Sequence, residues 1–420
     1  MGLEIFERST LPRWARVRQR LYSEEIVDVA TAVAAEFERP GVGEQVRPGM
    51  RVAIGAGSRG IDRYAAVVAA VVVEVRRRGG EPFIFPAMGS HGGATGPGQA
   101  EVLAHYGVTA GAMGAPVRAS MDTVRLGEVE GGVPVFFDRV AALEADLIIP
   151  VNRVKPHTDF HGEIESGLMK MIAIGMGKQR GADTFHAVGF DHFSRLIPAV
   201  AGFSISKLPI GFGVALVENG LGVLARVEVV TAAQIPGREP ELLRLARQWM
   251  ARLPGDRLDV LVIDRLGKDI SGIGADTNVI NRYYTGVLPF SPRIQRIVVR
   301  DLTPATEGNA SGVGQADVVL RRVAERMDPL ATYVNCITAK TPEGARMPIT
   351  VDSDRQAIHV ALACCVRVTV EQAAIMRIQD TKHLETLWVS EPLLRELEGS
   401  VVALDTPRDI VFDAAGMLVD

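Results

Sequence analysis

The sequence predicts an α/β protein of two domains with mainly parallel sheets. Short apolar segments alternate with helical segments along both halves of the chain, which is typical of parallel sheets. The 420 residues exceed the length at which one hydrophobic core usually stops growing. A turn at Pro254-Gly255 precedes a new apolar strand, so we expect domains over residues 1–254 and 255–420. We expect the active site in a cleft between them, because interdomain clefts are frequent ligand sites.

The first half begins with a strand–helix–strand unit. An apolar strand over 51–54 leads to a Gly-rich turn, and a helix follows from Asp62, its predicted N-cap, to Gly79. The further elements predicted in this half are a strand over 82–85, a helix over 99–106, β segments over 123–126 and 133–137, and a buried strand over 146–151. The second half predicts strands over 259–263 and 297–299 and a helix over 315–327. No low-complexity segment interrupts this order.

Three of the predicted strands are followed by residues that can carry chemistry. Arg59 follows the first strand, His91 the second and His157 the third. In open α/β sheets, ligands bind beyond the carboxyl ends of the strands. We therefore expect these side chains to converge although they lie far apart in the sequence. The Gly-rich segment 88–98 around His91 predicts either a plain tight turn or a general base held in that turn.

Reactive side chains are concentrated between Val154 and His186. This segment also contains His157, His161 and Lys170. A neutral histidine binds metals and exchanges protons near pH 7, and a deprotonated lysine is a nucleophile. A surface loop rich in lysine and histidine would explain any one of these residues alone. Their concentration directly after a buried strand favours a functional site.

Lys170 lies within the apolar run 168–174. A lysine in such a run must extend its charged end to solvent, form an ion pair or be consumed by a covalent bond. His186 follows sixteen residues later, after a turn at 175–177. The sequence leaves extension to solvent and a functional role equally open for Lys170.

A metal-dependent hydrolase or lyase is an alternative class. His157 and His161 are four residues apart and Glu163 and Glu165 follow them, so a zinc site at His157/His161 deserves consideration. The HExxH motif is absent, and Pro156 favours a loop over a helix. The two glutamates would equally suit the positive N-terminal end of the helix that carries Lys170.

The composition excludes several other classes. The formal net charge of −4 gives no electrostatic reason to expect nucleic acid or a membrane as partner. The longest apolar run, 64–73, is too short to span a bilayer, and the N-terminus lacks a signal-peptide pattern. Three cysteines without a CxxC pair predict a reduced, cytoplasmic protein without a thiolate metal site. The oligomeric state stays open.

The order of these motifs resembles the nickel-pincer lactate racemase family. The resemblance rests on Ser58-Arg59, Gly89-Ser90-His91, Pro156-His157, Ser166-Gly167 with Lys170, and His186, and it spans roughly residues 10–420. It implies that residues 1–254 form the catalytic and cofactor-binding domain and that residues 255–420 close the cleft. It also implies that Lys170 carries the nickel-pincer nucleotide (pyridinium-3,5-bisthiocarboxylic acid mononucleotide nickel) as a thioamide and that His186 binds nickel.

The same resemblance implies a reaction and partners. His91 and His157 would be an acid/base pair, and Ser58 and Arg59 would meet a phosphate or the substrate carboxylate. The reaction would racemise or epimerise a 2-hydroxy acid by removing the hydroxyl proton and passing hydride to the cofactor. The partners would be this small-molecule substrate and the enzymes that make the cofactor.

The sequence departs from the family pattern where the substrate would bind. Ala56 stands where the lactate enzymes carry an aspartate. Their substrate-facing glutamine and lysine fall near Asn281 and Tyr284, with Lys268 or Arg282 as possible replacements. We therefore expect a 2-hydroxy acid other than lactate. A non-catalytic protein that binds the nickel nucleotide remains a third class.

Overall fold

A computed structural model describes residues 3–7, 9–58, 60–283 and 292–419 of the chain. It divides the chain into a central unit, Ser23–Met250, and a terminal unit, Met1–Tyr22 with Ala251–Asp420. The described strands are β1 Trp14–Gln19, β2 Arg51–Ala56, β3 Glu81–Pro86, β4 Thr123–Val129, β5 Val133–Asp138, β6 Leu147–Arg153, β7 Phe212–Glu218, β8 Leu224–Thr231, β9 Arg257–Ile263, β10 Arg293–Val299, β11 Val318–Leu320, β12 Ile349–Val351, β13 Ile375–Ile378, β14 Thr386–Ser390 and β15 Val401–Ala403.

The helices lie between these strands, as an α/β chain requires. They are α1 Val29–Phe37, α2 Tyr64–Arg77, α3 Gly96–His105, α4 Ala110–Met113, α5 Arg139–Glu144, α6 Leu168–Lys170, α7 Lys178–Val188, α8 Phe193–Lys207, α9 Ile235–Trp249, α10 Thr277–Ile280, α11 Arg321–Arg326, α12 Pro329–Thr338, α13 Asp354–Ala363 and α14 Glu391–Glu396. A π-helical turn over Met171–Gly175 continues α6. Among the described residues, no helix is both long and apolar enough to cross a membrane.

The sheet of the central unit has the order β3-β2-β6-β7-β8. Its first four strands are parallel, and β8 is added antiparallel to β7. β4 and β5 form a separate antiparallel pair. After its first residue β2 is buried throughout, as is β3. Parallel strands covered by helices on both faces are apolar without alternation, which is why the sequence shows short continuous apolar runs there.

Helices pack on both faces of this sheet. Ile54 faces a core built with α1 and α2, whereas its neighbour Ala53 faces a second core. That second core contains Leu168 of α6, Phe185 of α7 and residues of α8 and α9. Successive side chains of a strand point to opposite faces, so the helices that carry Lys170 and His186 lie on the face opposite α2.

The terminal unit contains an eight-stranded sheet in the order β12-β11-β10-β9-β13-β14-β1-β15. Strands β9 to β13 pair in parallel, and β14, β1 and β15 pair antiparallel. Both units are therefore α/β with mainly parallel sheet interiors, and the predicted fold class is confirmed. The predicted cleft between two domains stays a prediction.

The ends of the chain meet in one sheet. β1 pairs with β14 and β15, so residues 14–19 belong with residues 251–420, although the sequence assigned them to a domain over 1–254. The division between the units falls at Met250–Ala251, close to the predicted boundary at 254. A strand pattern shows that a segment is extended but does not show which sheet receives it.

Three element boundaries differ from the sequence expectation. α2 begins at Tyr64 after Arg63, which has a left-handed backbone conformation, and Asp62 accepts a hydrogen bond from the Leu224 amide at 3.0 Å instead of capping the helix. α3 begins at Gly96 because Thr95 caps it through the Gly98 amide. The helix expected over 315–327 is wrong in its first half: residues 318–320 form β11 beside β10, and α11 covers only Arg321–Arg326.

The pairing of β1 predicts where a core mutation acts. Trp14 is buried, and its ring centroid lies 5.0 Å from that of Trp388. Trp14→Ala should destabilise the terminal unit by about 3–5 kcal/mol, the usual cost of removing a buried aromatic side chain. Hydrogen exchange should accelerate in β13 and β14 and stay unchanged in β2, β3 and β6.

Phe37→Ala serves as the matched control. Phe37 is buried against Phe212 in the central unit, so this variant should accelerate exchange in β7 and leave β14 protected. Loss of protection in β2 and β6 of the Trp14 variant would contradict the assignment of the first strand.

Candidate active site

Three neighbouring strand ends form the framework of the candidate site. β2 lies between β3 and β6 and runs parallel to both. Ser58 follows β2, His91 follows β3 and His157 follows β6. Adjacent strands are about 4.8 Å apart, so the three strand ends lie within roughly 10 Å along one sheet edge. Arg59, which the sequence placed here as well, lies outside the described residues.

His91 is held in a tight turn beyond β3. Its Nδ1 forms a short hydrogen bond with the Ser58 hydroxyl group. The buried amide of Gln99 donates to the carbonyl oxygens of Gly89, at 2.8 Å, and His91, at 3.3 Å. A Cβ atom on Gly98 would lie 2.1 Å from the Gly92 carbonyl oxygen. The glycines of this segment therefore permit a close turn, and that turn fixes the backbone of His91.

A buried ion pair connects this turn to the helix that carries His186. Lys178, the first residue of α7, places its Nζ 2.9 Å from Asp138 Oδ2. The same Nζ donates to the Pro86 carbonyl at 2.5 Å and to Gln99 Oε1 at 3.3 Å. Burial lowers the pKa of Lys178, and the nearby Asp138 carboxylate opposes that shift. The ends of β3 and β5 and the start of α7 are thus joined by one cation, which sequence reasoning missed.

His157 contacts Lys170 directly. The distance from His157 Nε2 to Lys170 Nζ is 2.5 Å. On the other side of the ring, Nδ1 accepts a hydrogen bond from the Asp159 amide at 3.0 Å. The ring of Phe160 packs against His157 with centroids 4.4 Å apart. The two residues that the sequence selected as base and as attachment point therefore lie together.

Glu165 organises the loop that carries His157. Its buried carboxylate accepts hydrogen bonds from the backbone amides of His157, at 2.6 Å, and Gly162, at 3.0 Å. It also accepts from His161 Nδ1 at 3.0 Å and from the Arg247 guanidinium. Burial pushes the pKa of Glu165 upward, but the hydrogen bonds from His161 and the two amides bring it below its ordinary value.

This arrangement separates the two histidines that the zinc alternative would combine. His161 is hydrogen-bonded to Glu165, whereas His157 Nε2 is directed at Lys170. Within the described ranges, no group of three or more histidine, cysteine, aspartate or glutamate side chains is arranged to hold a metal ion. His161, whose role the sequence leaves open, contributes one of the hydrogen bonds to Glu165.

The first turn of the helix that carries Lys170 is hydrogen-bonded to a buried carboxyl group. Glu239 of α9 accepts a hydrogen bond from the Met169 amide at 2.9 Å. A Cβ atom on Gly167 would lie 2.3 Å from Glu239 Oε1, so any larger residue at position 167 would displace the Glu239 carboxylate. The carbonyl of Gly167 accepts a hydrogen bond from Asn152 of β6 at 2.8 Å. The start of α6 is therefore fixed to both the sheet and α9.

After Lys170 the chain makes the π-helical turn over Met171–Gly175. The Met176 amide donates to the Met171 carbonyl at 2.8 Å, which is the five-residue spacing of a π-helix. The Gly175 carbonyl accepts from the Gly89 amide at 3.1 Å. The turn that carries His91 is thus hydrogen-bonded to the π-helical turn that follows Lys170.

His186 lies in the last turn of α7 among aromatic rings. Its ring centroid is 5.7 Å from that of Phe190 and 5.9 Å from that of Phe193. The ring of His157 is 6.4 Å from Phe190. The rings of His157 and His186 are therefore at most about 12 Å apart, the sum of their centroid distances to Phe190.

The residues predicted to face the substrate from the second half lie in the terminal unit. Lys268 Nζ donates to the Gly272 carbonyl at 2.6 Å and to the Asn335 side chain. Arg282 pairs with Asp317 at 2.6 Å and donates to the Gln315 carbonyl at 2.8 Å. Asn281 ends α10 in a left-handed conformation, and Tyr284 lies outside the described residues. Their role toward a substrate stays a prediction.

Comparison with known proteins is informative about the fold. No protein-family model matches the sequence, and no curated protein matches it either. A crystal structure of a Thermotoga maritima protein superposes with a TM-score of 0.53 at 13% identity, covering 87% of this chain and 99% of that chain. The lactate racemase apoprotein of Thermoanaerobacterium thermosaccharolyticum gives a TM-score of 0.47 at 12% identity, covering 87% of this chain and 84% of that chain. At 13% identity, the likeness to the Thermotoga protein is one of fold.

Glu239 gives the site a measurable pH signature. Burial raises the pKa of Glu239 from an ordinary 4.5 to about 7, although the Met169 and Leu168 amides oppose the shift. Below pH 4.5 the group is protonated in the folded and the unfolded chain. Between pH 4.5 and 7 mainly the unfolded chain ionises, so the free energy of unfolding falls as pH rises, by about 3 kcal/mol in all at 1.4 kcal/mol per pKa unit.

Glu239→Gln should remove this dependence, because the amide cannot ionise. Urea unfolding at pH 5 and pH 7.5 measures most of it: the wild-type protein should lose about 2 kcal/mol more than the variant between the two values. Glu241→Gln, at a partly exposed position of the same helix, should behave like the wild type. Equal pH profiles for the wild type and the Glu239 variant would contradict the raised pKa.

Proposed function

We propose that this chain is an isomerase that racemises or epimerises a 2-hydroxy acid, with His91 and His157 as its acid/base pair. The observation that carries the proposal is the 2.5 Å contact between His157 Nε2 and Lys170 Nζ. It joins the expected base to the expected cofactor attachment point, at the same sheet edge as His91 and two strands away from it. The order of motifs from Ser58 to His186 supports the same reaction class.

Interconversion of two enantiomers requires a base that removes the hydroxyl proton of one and an acid that returns a proton to the hydroxyl oxygen of the other, and one residue on each side of the substrate meets this need. His91 and His157 come from strand ends on opposite sides of β2, so they can approach a small substrate from different directions. The Ser58 hydroxyl orients the His91 ring, and the Asp159 amide orients the His157 ring. Histidine is suited to exchange protons near neutral pH, and a positioned acid or base contributes about 10²–10⁴-fold.

The residues present fit the nickel-pincer nucleotide that the resemblance implies. Lys170 supplies an amine for the covalent bond, and His186 supplies an imidazole nitrogen, a donor that suits nickel. Both side chains lie on helices of one sheet face, on either side of the turn 175–177. Ser58 would meet its phosphate together with Arg59. When bound, this group would accept and return the hydride.

The chain's own residues would prepare the substrate for that step. One histidine would remove the hydroxyl proton of the substrate, and the other would return a proton to the same oxygen as the product of inverted configuration forms. The aromatic rings of Phe160, Phe190 and Phe193 around His157 and His186 would exclude water from this region. Lys268, Asn281, Arg282 and Tyr284 would select a substrate other than lactate.

Covalent attachment at Lys170 is tested by mass. Protein produced together with the cofactor-making enzymes should carry an adduct and nickel, detected by intact-mass spectrometry and metal analysis. Lys170→Ala should abolish the adduct, and His186→Ala should lower the nickel content because it deletes a ligand. Lys382→Ala, at an exposed position of the terminal unit, should leave both unchanged. An adduct that persists in the Lys170 variant would contradict the assignment.

The fate of a C2 deuterium label tests the reaction. With substrate deuterated at C2, the product should retain most of the label, because hydride is stored and returned. A racemase that deprotonates carbon would exchange the label with solvent. Complete loss of the label at normal turnover would refute the proposed mechanism. An adduct with nickel but no turnover of lactate, malate or sugar acids would instead favour the nickel-nucleotide-binding protein.

Replacing either histidine should slow both directions of the reaction. His91→Ala and His157→Ala should each lower kcat by about 10²–10⁴-fold, because each group serves as acid in one direction and as base in the other. The measurement is turnover from each enantiomer of the same substrate. His105→Ala, at an exposed position of α3, is the control. Wild-type turnover in either histidine variant would contradict the two-base arrangement.

A further inference from the structure

The helix α12 of the terminal unit turns an apolar stripe outward. Its large apolar side chains are all exposed: Leu330 by 72%, Tyr333 by 48%, Val334 by 55% and Ile337 by 64%. At 3.6 residues per turn these four positions fall within an arc of about 100° on one face of the helix. A surface helix usually turns such a stripe toward its own core. An exposed stripe of this kind is typical of an interaction surface.

The opposite face of α12 is small and polar, and its contacts fix the helix. Thr332, which is fully buried, accepts a hydrogen bond from the Ala310 amide at 3.0 Å. The thiol group of buried Cys336 lies 3.4 Å from the Ser311 hydroxyl group. A rotation of the helix that buried the apolar stripe would break both contacts. The outward stripe is therefore a fixed feature of the folded chain.

The size of the stripe suits the centre of a protein–protein interface. Its four apolar side chains expose roughly 400 Å², which is within the range of the largest apolar patch on a typical monomer. One partner of a standard interface buries about 800 Å², in which a polar rim surrounds a more apolar centre. Glu325, Asp328 and Lys340 are exposed at the two ends of the helix and would contribute to that rim.

The stripe is matched to a second copy of itself. In an antiparallel pair of α12 helices with a two-fold axis between Tyr333 and Val334, Leu330 of each copy faces Ile337 of the other. Tyr333 of each copy then faces Val334 of the other. Every apolar side chain of the stripe thus meets an apolar side chain. A two-fold interface must be self-complementary in this way.

The charges at the ends of α12 favour the same arrangement. Glu325 and Asp328 lie at its N-terminal end, and Lys340 lies just beyond its C-terminal end. Arg326, which is also at the N-terminal end, pairs with Asp301 at 2.6 Å. Antiparallel packing brings the acidic end of one copy to the Lys340 end of the other, whereas parallel packing would bring like ends together. A strongly acidic or strongly basic partner would be attracted to one end and repelled by the other.

We propose that a second copy of this chain covers the apolar stripe, so that the protein forms a two-fold symmetric dimer through antiparallel packing of α12. The proposal does not depend on the isomerase function. The dimer contact would also support the segment expected to meet the substrate, because Asn335 of the same helix accepts a hydrogen bond from Lys268.

Sedimentation velocity of the full chain between about 1 and 50 µM tests the dimer, because interfaces of standard size reach micromolar affinity or better. At the upper concentration the wild-type protein should have twice the chain mass of 45.2 kDa. Val334→Glu should be monomeric throughout, since it places two like charges beside the two-fold axis. Val73→Glu is the matched control: Val73 is exposed by 59% on α2, so this variant should dimerise like the wild type.

Two results would overturn the proposal. A monomeric wild type at all concentrations would assign the stripe to a different occupant, such as another protein or the central unit of the same chain. A dimer that persists unchanged in Val334→Glu would place the interface elsewhere. Circular dichroism should be the same for every variant, because the substituted side chains are exposed.

An exchange of charges tests the antiparallel arrangement independently of the Val334 variant. Lys340→Glu and Glu325→Lys should each weaken the dimer about tenfold, because two symmetry-related pairs change from attraction to repulsion. The double variant should regain wild-type affinity, since it restores opposite charges across the interface. Dissociation constants from the same sedimentation experiments measure this. Equal affinity of all four proteins, or a double variant that is weaker than both single variants, would refute the antiparallel dimer.

Discussion

The buried carboxylate of Glu165 is the constraint on which the arrangement around His157 depends. A carboxylate removed from water costs several kcal/mol unless donors replace its hydration. Here two backbone amides, an imidazole and a guanidinium do so, and all but the guanidinium belong to the loop between Lys155 and Ser166. These bonds restrain the loop, and in the restrained conformation His157 Nε2 is directed at Lys170. Hydrogen bonds to one side chain thereby fix the backbone of a loop that has no regular secondary structure.

Two other buried ionisable side chains of the central unit also join elements near the sheet edge. Lys178 joins the ends of β3 and β5 to α7, and Glu239 joins α9 to the start of α6. Each forms hydrogen bonds with backbone groups at such a junction. The apolar core supplies the bulk of the folding free energy, whereas these three residues determine how the helices are set against the sheet edge. Positions a few ångströms from the reacting groups are therefore specified by residues that take no part in proton transfer.

The apolar strands of the central unit could be predicted from the sequence, but their partners could not. Residues 51–54, 82–85 and 146–151 are continuous apolar runs, and parallel strands covered on both faces require such runs. The adjacency of their ends follows from the α/β alternation, which is why Ser58, His91 and His157 could be selected. β1 carries no signal for its partners β14 and β15, because pairing over such a separation depends on the whole sheet. Lys178 and Glu239 could not be singled out, and Glu165 was noticed without its role in the loop, since a buried ionisable group differs from an exposed one only through residues distant in the sequence.

Because of the π-helical turn after Lys170, the number of residues between Lys170 and His186 determines the direction in which the Lys170 side chain points. A π-turn contains one residue more than an α-helical turn, and each residue of an α-helix advances the direction of the side chains by about 100°. The extra residue is accommodated where Gly175 meets the turn that carries His91. Removing one residue between 171 and 175 would turn this segment into ordinary α-helix and rotate Lys170 by about 100° relative to α7. A homologue that keeps the lysine and the histidine but has one residue more or fewer between them would thus direct its lysine elsewhere. The number of residues between the two positions therefore distinguishes function more sharply than the presence of the two residue types does.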